Sequence, residues 1–183
     1  MPAHGASDAS PWIRRWAHLV APAGSVLDVA AGGGRHARWF AACGHAVTAV
    51  DRDGEALAAL PAGIEAIVAD LERGPWPLTG RRFDAVVVTN YLWRPLFADL
   101  VGALAAGGAL LYETFAVGNA TVGKPSNPAF LLEPGELLGA MASLRIVAYE
   151  DGFLDDPERF VQRIAAVREA GAAGPPPRHR LTA

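Results

Sequence analysis

The sequence predicts an α/β domain built on a seven-stranded, mostly parallel sheet with helices on both faces and an antiparallel seventh strand. Three observations predict it. Short β-rich and helical segments alternate from Ser25 to Phe115, the pattern of successive βα units. The fourth β-rich segment, "FDAVVVTN" (Phe83 to Asn90), has an unbroken apolar centre, as a strand covered on both faces requires. The last two β-rich segments are separated only by "GFLDDPE", too short for a parallel crossover of about a dozen residues. If they pair directly, they run antiparallel.

In order along the chain, Ser10 reads as a helix N-cap with Pro11 at the first helical position, and Trp12, Ile13, Trp16, Leu19 and Val20 recur at helical spacing. Strands follow over Ser25–Ala30, Ala46–Asp51, Ile64–Asp70, Phe83–Asn90 and Gly108–Phe115. Helices separate them over Arg35–Gly44, Asp53–Pro61 and Arg94–Gly107, closed by Gly44, Pro61 and Gly107. A helix over Glu133–Ala142 then precedes strands Ser143–Asp151 and Arg159–Val167. One domain is expected over 10–170, with a flexible N-terminus over 1–9 and a disordered Gly/Pro-rich tail over 171–183.

Composition excludes several classes. At 51% hydrophobic and 19% charged the chain is ordinary for a soluble domain, and no apolar run approaches the ~18 residues of a membrane span. A net charge of -3 without a basic stripe argues against a nucleic-acid partner. Cys43 is the only cysteine, which excludes an internal disulfide. His36 and His45 have no third ligand at useful spacing, so no metal is expected. "MPAHGASDASPW" is not a secretory signal, and a cytoplasmic location is expected.

The functional question lies in "VLDVAAGGGRHARWF", Val26 to Phe40. Gly32-x-Gly34-x-x-Ala37 satisfies the dinucleotide fingerprint, with Asp51 at about the spacing of a ribose contact. The other register is Asp28-x-Ala30-x-Gly32-x-Gly34, an acid followed by a glycine pattern whose first place is alanine. It resembles motif I of the class I S-adenosylmethionine-dependent methyltransferases. A nicotinamide dehydrogenase needs a second nucleotide half and a substrate domain, for which 183 residues leave little room. The antiparallel last strand, and Asp70 ending the third strand, are also similar to the methyltransferases. The ligand expected at the glycines therefore carries no pyrophosphate. The runs "NYLWRPLF", "LLYETF" and "GKPSNPAFLLEPGEL" look like the small bacterial methyltransferases related to tellurite resistance.

The resemblance implies S-adenosylmethionine as cofactor and a small-molecule nucleophile as acceptor, with O, N, S or a metalloid as the accepting atom. An NAD(P)-binding oxidoreductase and a non-catalytic S-adenosylmethionine-binding protein are the alternatives. Cofactor binding is expected from Asp28, Ala30, Gly32, Gly34, Asp51, Arg52, Asp70, Leu71 and Asn90. Asp51, at the carboxyl edge, suits both ribose hydroxyls, while Asp53 suits the N-terminus of the next helix. Asp70 with Leu71 fits adenine contact by the resemblance, or Asp70 is an exposed loop acid. Asn90-Tyr91 lacks the prolines of the Asn/Asp-Pro-Pro-Tyr run carried by base-modifying amino-methyltransferases. Tyr91 and Arg94 are expected near the reaction, and Glu113 is a candidate base beside Tyr112, which equally reads as core. Trp93 reads as pocket wall or as packing. The irregular segment Ala116–Phe130 reads as a lid, with Lys124 and Asn127 as its contacts to substrate.

Overall fold

The computed structural model describes residues 8–171 and 177–181. The chain opens on α1 (Pro11–Trp16), whose N-cap Ser10 accepts from the Trp12 N–H as its sequence predicts. Then come β1 (Ser25–Val29), α2 (Arg35–Ala42), β2 (Ala46–Asp51), α3 (Gly54–Ala58), β3 (Glu65–Val68) and β4 (Phe83–Thr89). They are followed by α4 (Phe97–Gly102), β5 (Leu104–Phe115), α5 (Glu136–Ala140), β6 (Arg145–Asp155) and β7 (Glu158–Val167). The seven strands form one sheet in the order β3-β2-β1-β4-β5-β7-β6. Pairings from β3 across to β5 are parallel, and β7 runs antiparallel to both β5 and β6.

The alternation of side chains along each strand gives the sheet two buried faces. Leu27, Val29, Val86, Val88, Leu110, Tyr112 and Ile164 face the layer that holds α4 and α5. Val26, Ala49, Ala85, Val87, Leu111 and Ala165 face the layer that holds α1, α2 and α3, where Trp12, Ile13, Trp16 and Phe40 fill the gap. Asp28, Thr89 and Glu113 continue that second face by their register, so polar groups of three central strands point under α1 and α2.

The third strand ends at Val68, ahead of Asp70, α3 and α5 are shorter than expected, and two boundaries depart most from the sequence reading. The helix expected over Arg94–Gly107 is a 3-10 turn at Arg94–Leu96 followed by α4, and Leu104 already belongs to β5. Sheet bonding explains this. Phe83 pairs with Leu104 ahead of a bulge, and the Gly107 N–H donates to the Arg168 carbonyl at 2.6 Å. Backbone bonding of this kind overrides the helix propensity of an alanine-rich run. β6 is also longer than expected, because it continues with β7 as a hairpin past the end of β5.

The expected terminal segments 1–9 and 171–183 fall largely outside the described residues. Within the described part, the Arg180 carbonyl lies 2.9 Å from a ring nitrogen of His18. Pro177, His179 and Leu181 line a cavity with Arg145, Ile146 and Val147 on β6.

The segment Ala116–Phe130 is stitched to the body at both ends. Ala116 bridges to Leu132, and the Asn119 side chain donates to the Pro125 carbonyl and accepts from the Phe160 N–H. Gly118 adopts φ +105, and a Cβ there would meet the Phe160 ring at 2.9 Å. Gly118→Ala is therefore expected to cost about 1–3 kcal/mol of stability from backbone strain and overlap. Urea unfolding measures it, and an unchanged midpoint would mean that the hairpin tip yields freely.

Candidate functional site

The carboxyl ends of β1, β2 and β4 converge where open α/β sheets take their ligands. Two adjoining cavities lie there and share Ala30. One, of about 150 Å³, is lined by Ala30, Asp51, Arg52, Ala69, Asp70, Leu71, Glu72 and Tyr91. The other, of about 380 Å³, runs along the glycines and is lined by Ala30, Gly32, Gly33, Arg35, His36, Thr89 and Asn90.

The glycine loop is set by its backbone. Ala30, Gly32 and Gly34 take φ of +53, +52 and +69. Gly34 is required twice over, because a Cβ there would also overlap the Leu60 side chain. A Cβ on Gly32 or Gly33 would meet nothing within 4 Å, so these two leave open space for a ligand. Ala30 is the exception. It takes the first place of the glycine pattern, and the left-handed backbone there makes an alanine strained, at about 1–2 kcal/mol.

Asp28 is 1% exposed, and one of its carboxylate oxygens accepts from the Ala37 N–H at 2.9 Å. That bond fixes the first turn of α2 against β1. Asp51 accepts from the Gly32 N–H at 2.8 Å on one oxygen and from the Asp53 N–H at 2.8 Å on the other. Each oxygen keeps a lone pair, so the carboxylate retains capacity for two hydroxyls. Asp53 caps α3 by accepting from Glu55 and Ala56, the role expected of it. Asp70 accepts from the Glu72 and Arg73 N–H groups, which shapes the wall of the smaller cavity. The Tyr91 hydroxyl is buried there without a hydrogen-bond partner among the described residues. Burial, then Glu72, Asp70 and Asp51, push its pKa above the usual value, so it stays an unspent donor.

The structure thus gathers Asp28, Ala30, Gly32, Gly34, Asp51, Arg52, Asp70, Leu71, Asn90 and Tyr91 around one edge of the sheet. Other expected residues line neither cavity. Arg94 is bonded to both Glu136 oxygens and to the Ala129 and Leu131 carbonyls, which makes it the anchor of the long loop. Glu113 is fully buried, accepts from the Ser10 hydroxyl and Arg163, and lies 3.7 Å from Arg159. Its oxygens are thereby committed to fold contacts. Trp93 packs against the core. Lys124 is exposed, and the Asn127 side chain caps the Ala129 N–H. Tyr112 is core and donates to the Tyr91 carbonyl. The sequence reading missed Arg35, His36, Thr89 and Glu72 as lining residues. For Arg35, His36 and Glu72 the signal was position, one or two residues beyond the glycine loop and beyond Asp70. Among the described residues, no group of three or more His, Cys, Asp or Glu is placed to hold a metal, and no helix is long and apolar enough to cross a membrane.

The order of strands and the glycine loop at the β1 edge define a class I methyltransferase fold. Residues 26–108 match the family model described as a methyltransferase domain. Over that stretch the chain is similar to methyltransferase domains, and its fold is that of TehB and of other S-adenosylmethionine-dependent methyltransferases. TehB from Haemophilus influenzae is 18% identical at TM-score 0.68, over 84% of this chain and 60% of that one. The chain therefore spans only 60% of that relative's length. A methyltransferase from Mesorhizobium loti, described as S-adenosylmethionine-dependent, is 18% identical at TM-score 0.68, over 90% of this chain and 100% of its own. The glycopeptide N-methyltransferase MtfA, in complex with S-adenosylhomocysteine, is 21% identical at TM-score 0.62, over 88% of this chain and 90% of its own. Among curated proteins, none matches the chain.

Two buried groups give the site a pH signature. Burial, opposed by the Ala37 N–H and Arg35, pushes Asp28 up to about 7 from its usual 3.8. Burial and then Arg35 hold His36 down at about 3 from 6.5. Between pH 3.8 and about 7 the folded chain keeps an Asp28 proton that the unfolded chain has lost, so stability falls as pH rises. Between about 3 and 6.5 the unfolded chain binds a His36 proton that the folded chain does not, so stability rises with pH. The two slopes oppose each other over their shared window. Asp28→Asn keeps an acceptor for Ala37 and removes only the falling slope. Its unfolding free energy in urea is expected to rise with pH through that window more steeply than in the wild type. Parallel profiles would show that Asp28 titrates normally. Ala30→Gly is expected to add about 1 kcal/mol in the same assay, by relieving the left-handed alanine. A loss instead would mean that the methyl packs usefully.

Proposed function

We propose that the protein transfers the methyl group of S-adenosylmethionine to a small-molecule nucleophile. The observation that carries this is Asp51. It sits at the end of β2 with both oxygens half-used, at the junction of the two cavities and bonded to the glycine loop it faces. Asp51, with Arg52 beside it, would accept from the ribose hydroxyls, Asp70, Leu71 and the Tyr91 hydroxyl would hold the adenine, and the glycine loop would take the amino-acid arm. Asp28 acts indirectly, by holding α2 and so the loop.

When bound, the cofactor supplies a sulfonium whose methyl leaves readily. The chain's own contribution is to hold the acceptor in line with it near Asn90 and Tyr91 and to exclude water. Alignment of that kind supplies about 7–11 kcal/mol of barrier reduction, so a strong base is not required. This agrees with the commitment of Glu113 and Arg94 to fold contacts. Trp93, Lys124 and Asn127 belong to the acceptor side in this reading, through movement of the loop that carries the last two. A small acceptor, and not a nucleic acid, is favoured by the absence of a basic stripe in the sequence. Because MtfA is described as a glycopeptide N-methyltransferase, acceptor screening with methyl-labelled cofactor includes peptides and glycopeptides beside metabolites.

Calorimetry with S-adenosylhomocysteine and NAD(H) tests the assignment, and binding of NAD(H) alone would overturn it. Asp51→Ala is expected to weaken S-adenosylhomocysteine by about 10–100-fold, since lost charged hydrogen bonds cost roughly 1.5–3 kcal/mol. Unchanged affinity in a folded variant would remove Asp51 from the site.

A further inference from the structure

The larger cavity has a floor whose hydrogen-bonding polarity can be worked out from its surroundings. The Ser10 backbone N–H donates to His36 Nε2 at 3.1 Å. A backbone N–H has no other role, so Nε2 carries no proton. His36 is 1% exposed and neutral, and its one ring proton is therefore on Nδ1. Nδ1 lies 3.4 Å from Thr89 Oγ1, a long bond in which the ring must donate and the hydroxyl must accept. Thr89 makes no other side-chain hydrogen bond among the described residues and ends β4 at the cavity it lines. Its own proton is left to point into that cavity. A threonine hydroxyl is ordinarily free to donate or accept; here the donor state is imposed from behind.

The charge of the cavity has the same sense. Arg35 lies on its wall and makes no ion pair among the described residues. Of the acids at this edge, Asp28 is turned onto Ala37, and Asp51 is bonded to the Gly32 and Asp53 N–H groups and lines the other cavity. A hydroxyl fixed as a donor beside a guanidinium suits a group that accepts hydrogen bonds and carries negative charge, and it repels an ammonium.

We propose that Thr89, kept as a donor by the Ser10–His36 relay, binds the carboxylate of the cofactor's amino-acid arm together with Arg35. This rests on the cofactor reading above. Ser10 and His36 are then positioning residues that touch no ligand. The N-cap of α1 sets the polarity of a binding site on the far side of the histidine ring. The relay also ties the position of α1 to cofactor binding, because moving Ser10 frees His36 to change tautomer and Thr89 to change sense.

The test compares two ligands by calorimetry on the full chain. S-adenosylhomocysteine carries the carboxylate; its decarboxylated form keeps the ammonium and lacks only that group. Thr89→Val, which preserves shape, is expected to weaken S-adenosylhomocysteine by about 10-fold or more and to leave the decarboxylated ligand unchanged. Thr89→Ser is expected to bind both as the wild type does. Equal losses for the two ligands, or no loss for either, would overturn the proposal. A second measurement needs no variant: nitrogen-15 spectra of the imidazole are expected to show His36 protonated on Nδ1, and protonation on Nε2 would equally overturn it. If the wild type binds neither ligand, the cofactor reading itself has failed, and this proposal fails with it.

Discussion

A carboxylate sealed beneath the sheet's helical cover organises this molecule. Asp28 sits at the middle of the sheet, between β2 and β4, with its side chain turned to α2. Its bond to Ala37 determines where α2 begins, and the start of α2 determines the path of the five residues from Ala30 to Gly34. Those residues must turn through left-handed backbone at three of five places to connect the two elements. Asp51 then reaches the loop only because the loop passes over the end of β2. The cofactor edge is thus a consequence of one buried acceptor in β1. A buried carboxyl with a single N–H partner is costly when ionised, and its raised pKa expresses that cost.

A second polar centre lies two strands away and serves a different purpose. Glu113 at the end of β5 is surrounded by Ser10, Arg159 and Arg163, with Glu150 completing the group through Arg163. Arg163 also lies 5.0 Å from the centre of the Trp12 ring. These contacts join α1 to β5 and β7, elements separated by most of the chain. Because Ser10 also donates to His36, the fastening of α1 and the polarity of the larger cavity share one residue. Removing one member of such a group leaves a buried charge unpaired, which is why it behaves as scaffold.

The strands were legible in the sequence because burial on both faces writes long apolar runs, and β1, β2, β4 and β7 begin within a residue of where those runs begin. The short β3 was harder, since Glu65 and Val68 are exposed and carry no such pattern. The Ala-rich run after Arg94 misled because its propensity favours a helix, and only pairing with Phe83 and Arg168, distant in sequence, recruits Leu104 to Gly107 into the sheet. At the site, the acids at strand ends could be placed because position along a parallel strand fixes nearness to the binding edge. The occupation of Arg94 by Glu136, and of Glu113 by two arginines, could not. Both depend on partners 42 to 50 residues away that leave no local trace. His36 shows the same limit from the other side, for its meaning comes entirely from Ser10, 26 residues earlier.

The strand order has a consequence for biosynthesis. β7, the last strand of this sheet in chain order, occupies an interior place between β5 and β6. A nascent chain that has emerged only as far as β6 has its full parallel half, yet β6 has no neighbour to pair with, and β5 presents an open edge. Vectorial folding therefore cannot complete this sheet progressively from one side. The open β5 edge, with its apolar run "ALLY", is the surface on which a stalled or truncated product would self-associate. Insertion of the β6–β7 hairpin is the event that closes it, so cooperativity in this sheet is concentrated in its last two strands.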